Sequence, residues 1–214
     1  MRIAVHSFYP IVDSAAWVRR LVPAGARFVQ LRIKDADTRH LRAEIRDARD
    51  VCACHGATLV INDYWRLAIE EGCDFVHLGQ EDLASVDRDA LRRAGVRLGV
   101  STHDDAELAR GLAMEPDYVA LGPIYETTLK VMAFGPQGLD RIGEWKRRIA
   151  PLPLVAIGGI TLERGADVFG AGADCISVVS DVLRHADPEG RVTDWLALCA
   201  RHAPGRHSGL ESTK

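Results

Sequence analysis

The sequence lacks any long hydrophobic segment. None of its apolar runs approaches the roughly 18 uninterrupted apolar residues that a membrane-spanning helix needs. Its start, MRIAVHSFYP, also lacks the extended apolar core of a secretory signal peptide. We therefore expect a cytoplasmic protein that has no part in a membrane.

An excess of charge of one sign is missing as well. The formal net charge is −3, which offers no electrostatic basis for binding nucleic acid. Any anion that the protein binds must therefore be held locally, by a few placed groups. The apolar fraction of 47% and the charged fraction of 27% are typical of an ordinary globular protein. A disulfide framework is not indicated either, because the cysteines are odd in number, and we expect free thiols at Cys52, Cys54, Cys73, Cys175 and Cys199.

What the sequence does contain is a repeated alternation of short apolar runs and helical segments. The runs, rich in β-branched residues, are predicted strands at 3–6, 27–33, 58–61, 75–78, 97–100, 118–121, 154–157 and 175–179. Between them, apolar residues at three- and four-residue intervals predict helices at 38–55, 102–112, 138–149 and 161–169. Strands that are apolar throughout and alternate with helices indicate a parallel sheet covered by helices.

Eight such units in little more than 200 residues predict an α/β protein that is a single (β/α)₈ TIM barrel. The alternative, a doubly wound open sheet, would need a glycine-rich turn after the first strand, and VHSFYPIVD contains no glycine. We assign the barrel to residues 1–202. The remaining residues, 203–214, read APGRHSGLESTK and are predicted to be a disordered tail.

In such a barrel the active site lies at the C-terminal ends of the strands. Gln30, Arg32 and Lys34 end the second strand and, being two residues apart, face the same side. Polar residues and glycines follow the other strands. They are Asn62, Asp63, Gln80, Asp82, Ser101, Thr102, His103, Gly122, Thr127, Thr128, Lys130, Gly158, Gly159 and Ser180.

Asp63 and Asp82 follow neighbouring strands, and each allows two interpretations. Each could cap the helix that comes next, which is the commonest role of aspartate after a strand. Neighbouring strands lie about 4.8 Å apart, so the two carboxylates could also reach one cation. Two carboxylates completed by water and phosphate oxygens are the usual way in which proteins hold Mg²⁺. Given the cationic residues nearby, we predict a Mg²⁺ site.

The cations and glycines of the rim also have two interpretations. Arg32 and Lys34 could form a solvated surface pair, but their alternation with Gln30 favours an inward position, where an anion would have to balance them. Gly158-Gly159 could be a plain turn, although it lies, with Ser180, where these barrels commonly bind a phosphate. Two phosphorylated ligands are therefore predicted.

The rim offers no evident nucleophile or strong base. The spacings suggest no Ser-His-Asp or Cys-His arrangement. His77 lies inside an apolar run and is predicted to face the core, while His103 could reach the rim or belong to the first turn of a helix. This composition suits a reaction in which diphosphate departs, assisted by the metal and the cations, and a neutral partner attacks.

Seven motifs together resemble thiamine phosphate synthase, in order and spacing, from Tyr9 to about Val182. They are QLRIK, IND, VHLGQED, GVSTH, YVALGPIYETTLK, VAIGGIT and ISVVSDV. The resemblance implies a Mg²⁺-dependent (β/α)₈ barrel that joins hydroxymethylpyrimidine diphosphate to thiazole phosphate, releasing diphosphate and forming thiamine phosphate. It also implies a dissociative substitution, in which the thiazole nitrogen traps a pyrimidine methylene cation.

The resemblance also assigns roles to individual positions. The pyrimidine diphosphate would be lined by Gln30, Leu31, Arg32, Ile33 and Lys34, with Arg32 and Lys34 on phosphate oxygens. Asn62 would touch the pyrimidine, and Asp63 and Asp82 would bind Mg²⁺. Ser101 and Lys130 would hold the diphosphate. The thiazole phosphate would be contacted by Thr127, Gly159, Val179 and Ser180.

Two positions depart from the family pattern. Leu129 stands where the family's proline-threonine-x-threonine-lysine loop has its second threonine, so one hydroxyl is missing unless Thr128 replaces it. Tyr64 stands where an arginine usually follows the Asn-Asp pair.

Two other functions remain open. A thiazole tautomerase shares the barrel but would not need Arg32, Lys34 and both aspartates, and a non-catalytic barrel would bind a phosphorylated metabolite without turnover. The oligomeric state is open, with a homo-oligomer as one possibility.

Overall fold

A computed structural model describes residues 5–127 and 135–202 of the chain. Eight parallel strands, each hydrogen-bonded to the next, form a closed barrel in the order β1 to β8, which confirms the predicted (β/α)₈ fold. The strands are β1 Phe8–Val12, β2 Phe28–Leu31, β3 Thr58–Asn62, β4 Phe75–Leu78, β5 Arg97–Thr102, β6 Tyr118–Leu121, β7 Leu154–Ile157 and β8 Cys175–Val178. The predicted tail, 203–214, lies outside the described residues.

Helices follow the strands and cover the outside of the barrel. They are α1 Ala15–Leu21, α2 Thr38–Cys54, α3 Trp65–Glu70, α4 Gln80–Leu83, α5 Arg88–Ala94, α6 Asp105–Ala113, α7 Gly138–Ile149, α8 Leu162–Gly170, α9 Ser180–Leu183 and α10 Pro188–His202. The helix predicted at 102–112 begins later, with Asp104 as its N-cap, and Thr102 ends β5, where its hydroxyl donates to the Ala120 carbonyl (3.0 Å). Among the described residues, no helix is long and apolar enough to cross a membrane.

The first strand is not where the sequence predicted it. The prediction was 3–6, of which Val5 and His6 are described and are not part of a strand, whereas β1 is the run FYPIV at Phe8–Val12. Pro10 argued against this run, because proline has no N–H to donate to a sheet. All five side chains of the run are buried, and Pro10 is aligned with Val178 of β8. Burial of the run therefore outweighs the hydrogen bond that proline cannot make.

Side chains of the strands alternate between two cores. One core lies between the strands and the helices and includes Leu31, Leu98 and Trp145. The other fills the barrel interior, where β2, β4 and β6 begin with the aromatic residues Phe28, Phe75 and Tyr118. The Phe28 and Phe75 rings meet edge to face with centroids 5.4 Å apart. These rings fill the N-terminal end of the barrel interior, opposite the rim formed by the C-terminal ends of the strands.

Gly99 leaves the space that the Tyr118 ring occupies. A Cβ atom on Gly99 of β5 would lie 2.1 Å from Cζ of Tyr118, far inside van der Waals contact. The glycine therefore lets the Tyr118 ring lie directly against the strand, and the Tyr118 hydroxyl reaches the centre of the barrel beneath the rim.

Candidate active site

Of the three residues predicted to alternate inward along the second strand, Gln30 lies in β2, whereas Arg32 and Lys34 follow the end of the strand at Leu31. Gln30 is buried, and its Nε2 donates to the Tyr9 hydroxyl at 3.4 Å. Arg32 is half-buried, and its backbone N–H donates to Val12 O at 2.8 Å. Lys34 is exposed. Leu31 and Ile33 instead pack in the helix-facing core, so a ligand in the barrel mouth could contact them only through their backbone.

Strand β3 ends in a tight turn that carries Asn62 and Asp63. Asn62 is buried and aligned with His77 of β4. Asp63 adopts φ 65°, a left-handed conformation that aspartate and asparagine tolerate better than most residues. Its backbone N–H donates to His77 O at 2.9 Å. The N-cap of α3 is Tyr64 and has no side-chain cap, so Asp63 does not cap that helix.

Asp82 comes to the same place from the next strand. It lies in the short helix α4, where its Oδ2 accepts a hydrogen bond from the Gly79 N–H at 3.2 Å. Asp82 thus contributes from the third position of α4 to the cap of its own helix, whereas the capping interpretation had it cap the helix that follows, whose N-cap is Asp87. The other interpretation is not excluded by it, because a carboxylate has further lone pairs to offer.

The environment of Asp63 disfavours its charged form. Burial and then the negative charge of Asp82 raise the pKa of Asp63 from 3.8 to about 6, although the charges of Arg32 and Lys34 act in the opposite direction. Among the described residues, no group of three or more His, Cys, Asp or Glu side chains could hold a metal. A cation bound between Asp63 and Asp82 would need water or substrate oxygens to complete its coordination.

Strand β5 contributes Ser101, whose hydroxyl is within hydrogen-bonding distance of the His77 imidazole. The Ser101 hydroxyl lies 2.8 Å from His77 Nε2, and His77 Nδ1 lies 2.7 Å from the Tyr118 hydroxyl. His77 is buried, as predicted. Burial, followed by the charge of Arg32, lowers the pKa of His77 to about 4, so its imidazole is neutral at pH 7.

Two of the predicted rim residues have structural partners. Gln80 Nε2 donates to the backbone oxygens of Ser101 (2.7 Å) and Glu107 (3.3 Å), so its amide joins β5 to α6. His103 lies 2.7 Å, through Nδ1, from the Glu107 carboxylate. It precedes α6, which begins at Asp105, so it is not part of the helix.

The segment after β6 runs beside the end of β7. Ile124 N donates to Ile157 O (2.9 Å), and Tyr125 N donates to Gly158 O (3.0 Å). A Cβ atom on Gly159, whose φ is 65°, would lie 2.4 Å from the Glu126 carbonyl oxygen. Thr127 ends the described part of this segment, and Thr128, Leu129 and Lys130 lie outside the described residues.

Strand β8 leads into Val179 and the short helix α9, which begins at Ser180. The next residue, Asp181, anchors this helix: its carboxylate accepts two hydrogen bonds from Arg191 (both 2.9 Å) and one from Trp195 Nε1 (2.7 Å). The motifs gave no signal for this anchor, because Arg191 and Trp195 belong to α10.

Arg164 is a second residue that the sequence did not single out. Its Nη1 donates to the Gly159 carbonyl at 2.7 Å, and its guanidinium stacks over the Tyr125 ring at 4.4 Å. It therefore links the glycine turn after β7 to the segment after β6. Only the left-handed turn at Gly159 aims that carbonyl at α8, so spacing alone could not have revealed the contact.

Comparison with known proteins gives a consistent result. Residues 8–182 match the family model described as thiamine monophosphate synthase. The thiamine-phosphate synthase of Rhizobium etli is 59% identical over 193 residues, which are 90% of this chain and 95% of that protein. The Cronobacter sakazakii thiamine-phosphate synthase is 48% identical over 190 residues, 89% of this chain and 90% of that protein.

A solved structure of thiamine phosphate pyrophosphorylase from Pyrococcus furiosus superposes with a TM-score of 0.80 at 25% identity, covering 92% of this chain and 96% of that one. The 3-hexulose-6-phosphate synthase of Salmonella typhimurium, at 16% identity and a TM-score of 0.67, shares the fold alone.

Proposed function

The chain belongs to the thiamine monophosphate synthase family, an enzyme family of thiamine biosynthesis that condenses a pyrimidine with a thiazole, and from this premise we propose how its rim divides the two substrates. The pyrimidine diphosphate, with Mg²⁺, binds over β2 to β5 and to Lys130 after β6. The thiazole phosphate binds over β6 to β8. The single observation that carries this division is the Asp63–Asp82 pair, which lies beside Arg32 and on one side of the barrel mouth.

Asp63 and Asp82 are the proposed Mg²⁺ ligands. Asp63 is partly buried next to a second carboxylate, an arrangement that costs free energy unless a cation or a proton neutralises it. A bound Mg²⁺ would neutralise the pair and the charge of the departing diphosphate at once. Two carboxylates leave room for phosphate oxygens and water, which suits a metal that arrives with its substrate.

The cations of β2 support the diphosphate assignment. Arg32 is half-buried just after β2, and its charge acts to lower the pKa of both Asp63 and His77, which supports a position close to both residues. We assign Arg32, Lys34 and the Ser101 hydroxyl to the diphosphate oxygens. Lys130 joins them on the resemblance of its motif, because it lies outside the described residues. Gln30 and Asn62, both buried at the upper interior, face the pyrimidine.

The turn after β7 and the start of α9 support the thiazole phosphate assignment. Gly159 has a φ of 65°, and a Cβ atom there would meet the Glu126 carbonyl oxygen, so only glycine lets this turn pass so close to the β6 segment. Ser180 begins α9, which Asp181 anchors to α10. We assign the phosphate to Gly159, Val179 and Ser180, with Thr127 of the β6 segment on the thiazole side.

The chemistry follows from what these residues can do. The bond between the pyrimidine methylene carbon and the diphosphate oxygen breaks, and the leaving electrons stay on the diphosphate. Arg32, Lys34 and Ser101 stabilise that charge through hydrogen bonds and position. The thiazole nitrogen then forms the new bond with its own lone pair. No proton has to be removed from that nitrogen, which agrees with a rim where His77 is buried and engaged on both ring nitrogens.

One assay tests the proposal. Purified protein is mixed with Mg²⁺, the pyrimidine diphosphate and the thiazole phosphate, and both released diphosphate and thiamine phosphate are measured. Asp63→Ala and Asp82→Ala should each abolish synthesis, while Glu81→Ala, an exposed carboxylate beside Asp82, should keep it. Unchanged activity in both aspartate variants would overturn the Mg²⁺ assignment. Homo-oligomerisation and a cytoplasmic location stay predictions.

A further inference from the structure

A chain of hydrogen bonds crosses the barrel interior beneath the proposed diphosphate site. Gln30 Nε2 donates to the Tyr9 hydroxyl (3.4 Å), which lies 3.1 Å from the Tyr118 hydroxyl. The Tyr118 hydroxyl lies 2.7 Å from His77 Nδ1, and His77 Nε2 lies 2.8 Å from the Ser101 hydroxyl. These five residues come from five strands, and we call them the interior relay.

Most of the interior relay is sealed from solvent. Tyr9, Gln30 and Tyr118 are at most 1% exposed and His77 is 7% exposed, whereas Ser101 is half-buried at the rim. Burial raises the pKa of both tyrosine hydroxyls above the ordinary value, so both keep their protons. Ser101 is the relay residue nearest the proposed diphosphate, and His77, Tyr118 and Tyr9 follow behind it in that order.

The donors and acceptors of the relay define its direction. The amide nitrogen of Gln30 can only donate, so the Tyr9 oxygen accepts from it. Either hydroxyl of the Tyr9–Tyr118 pair could donate, and we take Tyr9 as the donor because its oxygen already accepts from Gln30 and the nearby Ser177 Oγ forms no hydrogen bond among the described residues. Tyr118, having accepted, donates to His77 Nδ1. The neutral imidazole must then carry its proton on Nε2 and donate it to Ser101 Oγ.

The direction of the relay determines whether the Ser101 hydroxyl can donate to a ligand at the rim. A Ser101 oxygen that accepts from His77 has its own proton free to donate upward. If the relay ran in the opposite direction, the Ser101 hydroxyl would donate to His77 and only its oxygen lone pairs would face the ligand. These lone pairs would repel an anionic ligand. A hydroxyl that donates to a phosphate oxygen makes a charge-assisted hydrogen bond, roughly twice as strong as a neutral one.

We propose that Tyr9, Tyr118 and His77 are positioning residues that orient the Ser101 hydroxyl as a hydrogen-bond donor to the diphosphate. This inference rests on the proposed role of Ser101. It assigns His77 no proton transfer, and it gives a function to the close approach of Tyr118 to Gly99.

The test uses Mg²⁺ and inorganic diphosphate as the probe, with binding measured by calorimetry. Ser101→Ala should weaken binding about tenfold or more, the loss expected for one hydrogen bond to a charged group. Tyr118→Phe should weaken it to a similar extent, and the double variant should lose no more than either single variant. Thr102→Val is the matched control, because it removes two buried hydrogen bonds, to Ala120 O and from Trp145 Nε1, from the same strand on the helix-facing side.

A spectroscopic measurement reports the direction itself. In ¹⁵N-histidine-labelled protein, the His77 signals should show a protonated Nε2 and an unprotonated Nδ1, assigned by their absence in His77→Gln. Tyr118→Phe should shift this tautomer equilibrium. His77→Gln can still place an amide N–H near the Nε2 position and should retain most of the affinity, whereas His77→Leu should not.

The outcomes separate the two proposals. Unchanged affinity in Ser101→Ala would remove the diphosphate role of Ser101, and the relay proposal with it. A loss in Ser101→Ala without a loss in Tyr118→Phe would overturn the relay alone. A protonated Nδ1 in the wild type, or an equal loss in Thr102→Val, would likewise overturn the relay and leave the diphosphate site intact.

Discussion

The Asp63→Asn variant should be more stable than the wild type while being inactive. Burial and the neighbouring Asp82 raise the pKa of Asp63 from 3.8 to about 6. Because the folded-state pKa is higher than the unfolded value, this carboxyl stabilises the fold fully below pH 3.8, and the contribution is lost as the pH rises through about 6. In metal-free protein at pH 8, the ionised Asp63 therefore costs folding free energy.

The size of this cost follows from the shift. At about 1.4 kcal/mol per unit, the change corresponds to roughly 3 kcal/mol. Asp63 is only partly buried, so solvent screening reduces this to about 1.5 kcal/mol. For a protein of this size, that is a gain of about 3–6 °C in melting temperature. Asparagine tolerates the φ of 65° as aspartate does, so the substitution adds no backbone strain.

The assay is thermal unfolding of protein treated with EDTA, at pH 8 and at pH 4. Asp63→Asn should melt several degrees higher than the wild type at pH 8, and the difference should largely disappear at pH 4, where both side chains are mostly neutral. Glu81→Gln removes the same charge from an exposed neighbouring position and should change little. Added Mg²⁺ and diphosphate should raise the melting temperature of the wild type and not of Asp63→Asn.

Two results would refute this reasoning. A lower melting temperature for Asp63→Asn at pH 8 would mean that the carboxylate is stabilising in the folded protein. An equal gain at both pH values would mean that the effect is not electrostatic.

Three further predictions concern the other parts of the rim. Gly159→Ala should weaken thiazole phosphate binding at least tenfold and leave diphosphate binding intact, because the added Cβ atom meets the Glu126 backbone. Gly95→Ala is the control: Gly95 has a similar φ and no atom within 4 Å of an added Cβ, so the substitution should lower only the stability of the fold. Asp181→Ala should lower the free energy of unfolding by about 3 kcal/mol or more, because Arg191 and Trp195 Nε1 both lose their buried carboxylate partner. Glu163→Ala removes an exposed carboxylate that contacts the same arginine, and it should lower the free energy of unfolding by under about 1 kcal/mol. Equal losses for the Asp181 and Glu163 variants in urea unfolding would contradict this account. Lys130→Ala should weaken the pyrimidine diphosphate far more than the thiazole phosphate, and equal losses in calorimetry would count against the assigned role.

The order of strands and helices could be predicted from the sequence, because burial leaves a local pattern. Strands β2 to β8 lie at the predicted positions within a few residues, since parallel strands buried on both faces read as apolar runs. The position of β1 was predicted wrongly because local patterns do not record burial against strands that are distant in the sequence. Pro10 is a local signal against a strand, and what overrides it is burial between β8 and β2, which no local pattern records.

The candidate site was predictable to the extent that it depends on strand ends. Asn62, Asp63 and Asp82 follow strands, and the barrel topology brings all strand ends to one rim. The sequence could not decide between a cap and a ligand for either aspartate. The structure shows that Asp82 caps α4 whereas Asp63 does not cap α3, a difference that depends on the left-handed turn at Asp63.

The interior relay and the α9 anchor were decided by tertiary structure alone. Tyr9 and Tyr118 are 109 residues apart in the chain, and their hydroxyls meet only because the closed barrel points both side chains to one axis. Alternation along a strand tells which side chains point inward, and this much the sequence by itself determined. Which inward side chains touch depends on register, barrel closure and the space that Gly99 leaves for the Tyr118 ring. These are properties of all eight strands together, so they appear only when the chain is folded.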